Sequence, residues 1–283
     1  MTKKINSYII NLKIQSDLSG DDRIIEYIRI VKELSTNKNV LMVSKNEAIQ
    51  MYAVRGGNGQ KIPEFIYGHI ARGIYIQDKE IDVIQGDKIV KNENTPQILK
   101  PIVCDFLFIP KKHRLVVEKV AGGPTEKHIE NYLNEFLPKY VRKEDKLEIV
   151  VEKDVNVIEQ IFEAKSVFKL SYEISYTNDD VVEQLGEDFE DIIKESKIGN
   201  LKLTAEADNH IEGLNVEESI LLGGGLELAK SNGTILSAKI IPKGGKKIKT
   251  ISNIEKPKIL PVEIDLDLGG KFRLWFNEIM KLL

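Results

Sequence analysis

The chain has very little cysteine, since Cys104 is the only one in 283 residues. A single cysteine excludes an intrachain disulfide and a zinc site built from several cysteines. Because Cys104 lies inside a predicted strand, we expect a buried, unreactive thiol. Histidine is also scarce, and the four that are present share no spacing typical of metal ligands: His69, His113, His128 and His210.

Long apolar runs are absent as well. No stretch approaches the roughly 20 residues that a transmembrane helix requires. Polar residues interrupt the apolar stretch near the N-terminus, so no signal peptide is predicted. The abundance of Lys, Ile, Asn and Glu is typical of proteins from low-GC bacteria. The sequence therefore predicts a bacterial cytoplasmic protein with no membrane partner.

Motifs of nucleotide-binding and nucleophilic enzymes are missing too. A phosphate-binding loop needs a Lys followed by Ser or Thr after its glycines, and Gly223-Gly224-Gly225 has neither. We interpret these glycines as part of a helix that kinks or packs closely against a neighbour. Neither GxGxxG after a strand nor GxSxG occurs. No cofactor and no enzymatic activity are predicted.

One enzymatic alternative stays open. Glu148, Glu152 and Asp154 lie on and just after a predicted strand, where alternation places them on one side. Carboxylates so arranged could bind a metal ion, so a metal-dependent nuclease is an alternative function.

The order of predicted elements is the main feature that is present. A strand at Val103 to Ile109 runs through a short turn into a second strand at Arg114 to Val120. A helix follows from Thr125, and then a strand from Leu147 to Val151. With the strand Tyr8 to Gln15 and the helix after it, the order is β-α-β-β-α-β. This order predicts an α+β, ferredoxin-like core of the kind found in RNA recognition motifs and related RNA-processing proteins.

The length of the chain allows one large domain or two ordinary domains. We predict a ferredoxin-like core at residues 1–153, with a β-rich insertion at about residues 40–100. The insertion is too long for a structureless loop. A second α+β half, packed on the first, is predicted for residues 154–283.

Charge is unevenly distributed, although the formal net charge is only −3. Between residues 178 and 218 we count 13 acidic and 3 basic residues. Between residues 239 and 258 we count 7 basic residues and one acidic residue. Such asymmetry allows an anionic partner to bind one face of an acidic protein.

Two short basic segments are the predicted nucleic-acid-binding residues. The first is the turn between the two central strands, with Lys111, Lys112, His113 and Arg114. The second is a glycine-containing hairpin, with Lys243, Lys246, Lys247 and Lys249. Both are also compatible with simple solvation. The aromatic signature of an RNA recognition motif is missing from the strand that begins at Arg114.

Three stretches resemble a bacterial family with a domain of unknown function, family 4747, which is associated with phage-defence loci. They are FLFIPKKHRLVVEK, LSYEISYTNDD and LAKSNGTILSAK, which begin at Phe106, Leu170 and Leu228. The second lacks the Arg and Pro that the family pattern has before Asn178. The resemblance implies a defence context and implies no catalytic residue.

These observations predict a non-enzymatic, RNA-binding subunit of a bacterial antiviral defence complex. Such a subunit would act with partner proteins or through self-association. A protein-binding scaffold or phage sensor is an alternative, which the acidic net charge favours, and the metal-dependent nuclease is another.

Overall fold

The computed structural model describes residues 1–36, 39–56, 60–76, 80–85, 88–93, 97–175, 184–208 and 212–283. These residues have a mixed α/β structure that divides into two compact units. The first unit comprises Met1–Ile149 and Leu260–Leu283, and the second comprises Val150–Ile259. Within the described residues no helix is long and apolar enough to cross a membrane.

The N-terminal part of the chain contains most of the first unit. Its elements are β1 (Thr2–Gln15), α1 (Gly20–Thr36), β2 (Val40–Met42), β3 (Glu47–Arg55), β4 (Ile66–Ile76), β5 (Glu80–Gln85), β6 (Lys88–Glu93), β7 (Gln97–Ile109), β8 (Arg114–Glu118), α2 (Glu126–Phe136) and β9 (Lys146–Val151).

The second unit and the C-terminal segment follow. Their elements are α3 (Asn156–Phe162), β10 (Ser166–Ser175), α4 (Gln184–Glu195), β11 (Asn200–Glu206), α5 (Gly225–Asn232), β12 (Gly233–Ile241), β13 (Lys249–Ile251), β14 (Ile259–Asp265) and α6 (Lys271–Ile279).

An eight-stranded sheet forms the centre of the first unit. Its strand order is β14-β1-β8-β7-β4-β3-β2, and β9 also pairs with β1. β1 and β8 pair antiparallel from Ser7↔Glu118 to Asn11↔Arg114. The ferredoxin-like order requires the strand at Tyr8 to Gln15 to lie beside the strand at Arg114 to Val120, and this pairing is present.

Helix α2 shows how local sequence sets the ends of an element. Thr125 Oγ1 accepts a hydrogen bond from His128 N at 3.3 Å, and Thr125 N donates one to His128 Nδ1 at 3.4 Å. This reciprocal capping fixes the start of the helix. The sequence predicts a helix from Thr125 to Leu137, with Pro138 marking its end; the α-helix ends at Phe136 and a 3₁₀ turn, Leu137–Lys139, follows. Pro138 explains why the α-helix does not continue, since it lacks the N–H that the next helical hydrogen bond would need.

The predicted β-rich insertion contains five described strands. β2, β3 and β4 extend the central sheet, because β4 pairs with β7. β5 and β6 pair with each other as a separate hairpin. The prediction of a single strand at Ile81 to Val90 was wrong, since this stretch contributes to two strands that pair with each other.

The C-terminal segment Leu260–Leu283 belongs to the first unit, whereas the sequence places residues 154–283 together in a second half. β14 pairs with β1, and α6 buries Trp275, Phe276 and Ile279. These side chains share a core with Leu107 of β7 and Val116 of β8. The physical reason is that one face of the sheet is apolar and needs a cover, which α6 supplies.

The second unit has its own four-stranded sheet, in the order β11-β10-β12-β13. All three pairings are antiparallel. Apolar residues of β10 and β12 form a core with α3, α4 and α5. The predicted cap of the acidic helix at Asn178 and the end of the second family-like stretch lie outside the described residues, as does His210.

The glycine run interrupts the helix that the sequence predicts from Val216 to Lys230. A π-helical turn occupies Ile220–Gly224, and α5 starts at Gly225. Tyr172 Oη donates a hydrogen bond to the carbonyl of Leu221 at 2.5 Å. A Cβ on Gly225 would lie 2.0 Å from Tyr172 Oη. The glycine is therefore needed for the close approach of the buried tyrosine to the helix.

We expect Gly225→Ala to lower the free energy of unfolding by about 1–3 kcal/mol, the usual cost of overpacking. At an unobstructed helical site the same change would stabilise by up to about 1 kcal/mol. Gly199→Ala is the matched control in the same unit, since a Cβ there meets nothing within 4 Å. Urea unfolding measures both, and equal midpoints for the two variants would contradict the contact with Tyr172.

Candidate nucleic-acid interface

The turn between β7 and β8 exposes two of its four predicted residues. Pro110–Lys112 form a 3₁₀ turn that ends at His113, which has a φ of 54°. Lys111 and Lys112 are exposed. This part of the predicted site can therefore offer two cations to an anionic partner.

The other two residues of this turn have structural surroundings. The ring of His113 stacks on Tyr27 at 4.5 Å between centroids. Arg114 is buried, at 7% exposure, and its Nη1 donates to the carbonyl of Lys112 at 2.8 Å. Arg114 belongs to β8, whose residues are all buried. A phosphate-binding residue has to face the solvent. Arg114 does not.

The second predicted segment lies between β12 and β13 in the second unit. Gly245 N donates to the carbonyl of Pro242 at 2.8 Å, and Gly244 has a φ of 75°. The four predicted lysines of this segment are all exposed: Lys243, Lys246, Lys247 and Lys249. We call residues 243–249 the lysine loop. Among the described residues, no ion pair or side-chain hydrogen bond involves any of these four lysines.

Isoleucine 248 gives the lysine loop a partly apolar character. Ile248 is 61% exposed, between Lys247 and Lys249. The sequence predicts a strand from Lys246, but β13 begins only at Lys249. The loop and the Lys111-Lys112 turn belong to different units.

The carboxylates of the nuclease alternative have structural roles. Glu152 is buried, at 3% exposure, and pairs with Lys258 Nζ at 3.1 Å. Asp154 Oδ1 accepts from Asn156 N at 3.0 Å at the start of α3. Glu148 is half-buried on β9. Across the described ranges no group of three or more His, Cys, Asp and Glu side chains is suited to hold a metal ion.

A group of ionisable side chains that the sequence does not indicate lies beneath α6. Lys271 Nζ donates to Glu118 Oε2 at 2.6 Å and also to Asp105 Oδ2. Lys3 Nζ donates to the other oxygen of Glu118 at 2.8 Å. His69 Nδ1 lies 2.6 Å from Asp105 Oδ1. We call these five residues the charge cluster.

Strand register brings the charge cluster together. His69 of β4 and Asp105 of β7 are direct cross-strand partners. Asp105 shares a strand face with Leu107 and Ile109, which pack in the core beneath α6. Asp105 is a carboxylate inside an otherwise apolar part of β7, and this could have indicated a buried ion pair from the sequence. Its partner Lys271 could not be identified in this way, because it is distant in sequence.

Electrostatics keep Asp105 and Lys271 charged. Burial works to raise the pKa of Asp105, but Lys271 and His69 outweigh it and hold that pKa below its usual value. Burial works to lower the pKa of Lys271, yet hydrogen bonds to Asp105 and Glu118 raise it overall. Because an ionised carboxylate only accepts hydrogen bonds, His69 Nδ1 must be the donor to Asp105.

Cys104 lies on the opposite face of β7 and is fully buried. Burial raises the pKa of its thiol to about 11. A thiol with such a pKa is almost entirely protonated at neutral pH, so the buried thiol predicted from the sequence is confirmed.

A comparison with models of protein families relates nearly the whole chain to one family. Residues 3–281 match the family model of a domain of unknown function, DUF4747. No curated protein matches the sequence.

We expect Lys271→Met to lower the free energy of unfolding by about 2 kcal/mol at neutral pH, because it removes the cation that two partly buried carboxylates share. The lowered pKa of Asp105 stabilises the fold above the unfolded-state pKa, and this stabilisation is lost as pH falls through the folded-state value. The difference between wild type and variant should therefore narrow in acid. Urea unfolding at several pH values measures it.

Lys281→Met is the control for this prediction. Lys281 lies just after α6 and pairs with Glu278, but its side chain is 66% exposed. Its loss should change stability by no more than about 0.5 kcal/mol. Equal effects of the two substitutions, or a constant difference from neutral pH to acid, would contradict the role given to Lys271.

Proposed function

The chain belongs to the DUF4747 family of proteins with a domain of unknown function, and we propose that it binds nucleic acid through exposed lysines. The proposed ligand is RNA. The proposed role is that of a non-enzymatic, cytoplasmic subunit of a bacterial antiviral complex, acting with partner proteins or as a self-associated form.

The lysine loop is the observation that carries this proposal. Four exposed ammonium groups lie within seven residues, and none is neutralised by a described residue. Lysines that pair with phosphates release condensed counterions, which supplies most of the sequence-independent affinity of such interfaces. The loop also carries exposed Ile248, which can contact the apolar face of a base. Lys111 and Lys112 offer a second, smaller cationic site in the first unit.

The strand order supports a fold used by many RNA-binding proteins. β1 pairs with β8 and with β9, and β8 pairs with β7. α1 follows β1, and α2 connects β8 to β9. We propose that β9-β1-β8-β7 with these two helices is a ferredoxin-like core, to which β2, β3, β4 and β14 are added.

The alternatives have less support from the described residues. Glu152 pairs with Lys258, and Asp154 accepts a hydrogen bond at the start of α3. A metal ion would have to replace these interactions in order to bind the two carboxylates. A protein scaffold would not need a run of lysines that no described residue neutralises. The defence context rests on the resemblance of three short stretches to the family and on no site residue.

The test is binding of a fluorescent single-stranded RNA at several salt concentrations. We expect Lys246→Glu with Lys247→Glu to weaken binding at least tenfold and to reduce the salt slope by about 1.4, since each phosphate of a single strand that is no longer neutralised contributes about 0.7. Lys111→Glu with Lys112→Glu should act in the same direction. Base preference should not change, because phosphate contacts position the ligand and do not specify it.

Lys4→Glu with Lys127→Glu controls for net charge. Both lysines are exposed, and neither belongs to a predicted site. A loss of affinity equal to that of the lysine-loop variant would indicate a nonspecific charge effect. Unchanged affinity in both site variants would overturn the proposal and favour the protein scaffold, and cleavage that depends on added Mg²⁺ would favour the nuclease.

A further inference from the structure

A cleft in the first unit is separate from both lysine segments. It has a volume of about 290 Å³ and lies where the chain enters β4, next to the first turn of α6. Its lining includes Gln60, Glu64, Phe65, Tyr67 and Arg273. The volume is at the lower end of the range for small-molecule sites, so it suits one planar ring system and not a large cofactor.

Stacked rings hold one wall of this cleft in place. Phe65 stacks on Phe276 with 4.8 Å between ring centroids, and Tyr67 stacks on Phe272 at 4.2 Å. The guanidinium carbon of Arg273 lies 5.0 Å from the centroid of Phe65. Since the side chain of Arg273 is still 55% exposed, its outer surface remains accessible. A planar guanidinium supported by aromatic rings is a surface on which nucleobases stack.

The polar edge of the cleft indicates which base fits. Arg273 Nη1 donates to Glu64 Oε2 at 2.5 Å, which fixes the carboxylate beside the guanidinium. Glu64 is 63% exposed, and a carboxylate has about four acceptor positions. Guanine is the base that presents two adjacent donors, N1–H and the N2 amino group, on its Watson–Crick edge. The amide of Gln60 can donate to an acceptor such as guanine O6.

We propose that this cleft binds a guanine base, stacked on Arg273 and hydrogen-bonded to Glu64. The base could come from a free guanine nucleotide or from an unstacked guanine in single-stranded RNA. This site adds base preference, which phosphate contacts with the lysines do not supply. Binding of the free nucleotide is independent of the function proposed above, whereas binding of guanine in RNA rests on it.

Calorimetric titration of the full chain with GMP, AMP, CMP and inorganic phosphate tests the site. We expect saturable binding of GMP, at least about tenfold weaker binding of AMP and CMP, and no response to phosphate. Glu64→Gln should weaken GMP binding about tenfold, because the amide replaces one acceptor oxygen with an NH₂ donor, while guanine N1–H and its N2 amino group both need acceptors. Arg273→Lys keeps the charge but removes the stacking plane, so it should weaken all three nucleotides together.

Glu278→Gln is the matched control for Glu64→Gln. Glu278 lies on α6, like Arg273, but its carboxylate does not line the cleft. It should leave GMP binding unchanged. A second titration uses short uridine oligonucleotides that carry one guanine or one adenine. Preference for guanine in the oligonucleotide without GMP binding identifies RNA as the source of the base.

Three results would overturn the guanine site. Equal responses to GMP, AMP and phosphate would show that the protein binds the phosphate group and not the base. No saturable GMP response together with no guanine preference in RNA would remove base recognition. Equal losses of affinity in Glu64→Gln and Glu278→Gln would place any GMP site elsewhere. Loss of RNA binding in the lysine-loop variant, with GMP binding retained, separates this site from the function proposed above.

Discussion

The contact of Lys271 with Asp105 and Glu118 is the interaction on which the first unit depends. It attaches the first residue of α6 to two central strands of the sheet, and Trp275 and Phe276 then pack on the same face. Removing either Lys271 or its carboxylate partners would leave a partly buried charge without compensation, which would lower the free energy of unfolding. With all members present, the charge cluster fixes where α6 lies, and that position also brings Arg273 next to Phe65 and Glu64. The cleft and the charge cluster therefore both depend on the packing of α6 against the sheet.

Local sequence predicted most of the elements. Periodic apolar positions indicated α2, with Ile129, Tyr132 and Leu133 buried as expected. Alternation indicated β10, and Pro138 marked the end of a helix. These features depend on neighbours within a few residues, which is why they could be predicted. The close packing predicted for the glycine run is present, since Tyr172 approaches Gly225 from another element. The predicted bounds of that helix were wrong, because α5 begins only at Gly225.

In the candidate sites, too, features set by local sequence could be predicted and features set by long-range contacts could not. Exposure of Lys111, Lys112 and the lysine loop could be predicted, because lysines in turns are usually solvated. The burial of Arg114 was not predicted, since it depends on β8 lying inside the sheet. The pair of His69 with Asp105 and the cleft at Glu64 and Arg273 join residues 36 and 209 positions apart in sequence. Neither spacing forms a pattern in a single sequence.

The return of the chain to the first unit affects biosynthesis. β14 and α6 complete the sheet face that begins with β1, but the ribosome makes them only after the whole second unit. At about 5–20 residues per second, β1 must wait on the order of 10–50 s for these partners. During that interval the apolar face around Ile5, Leu107 and Val116 lacks its cover, while the second unit, whose residues are contiguous, can already fold. Newly made chains thus pass through a stage in which chaperones can bind this face.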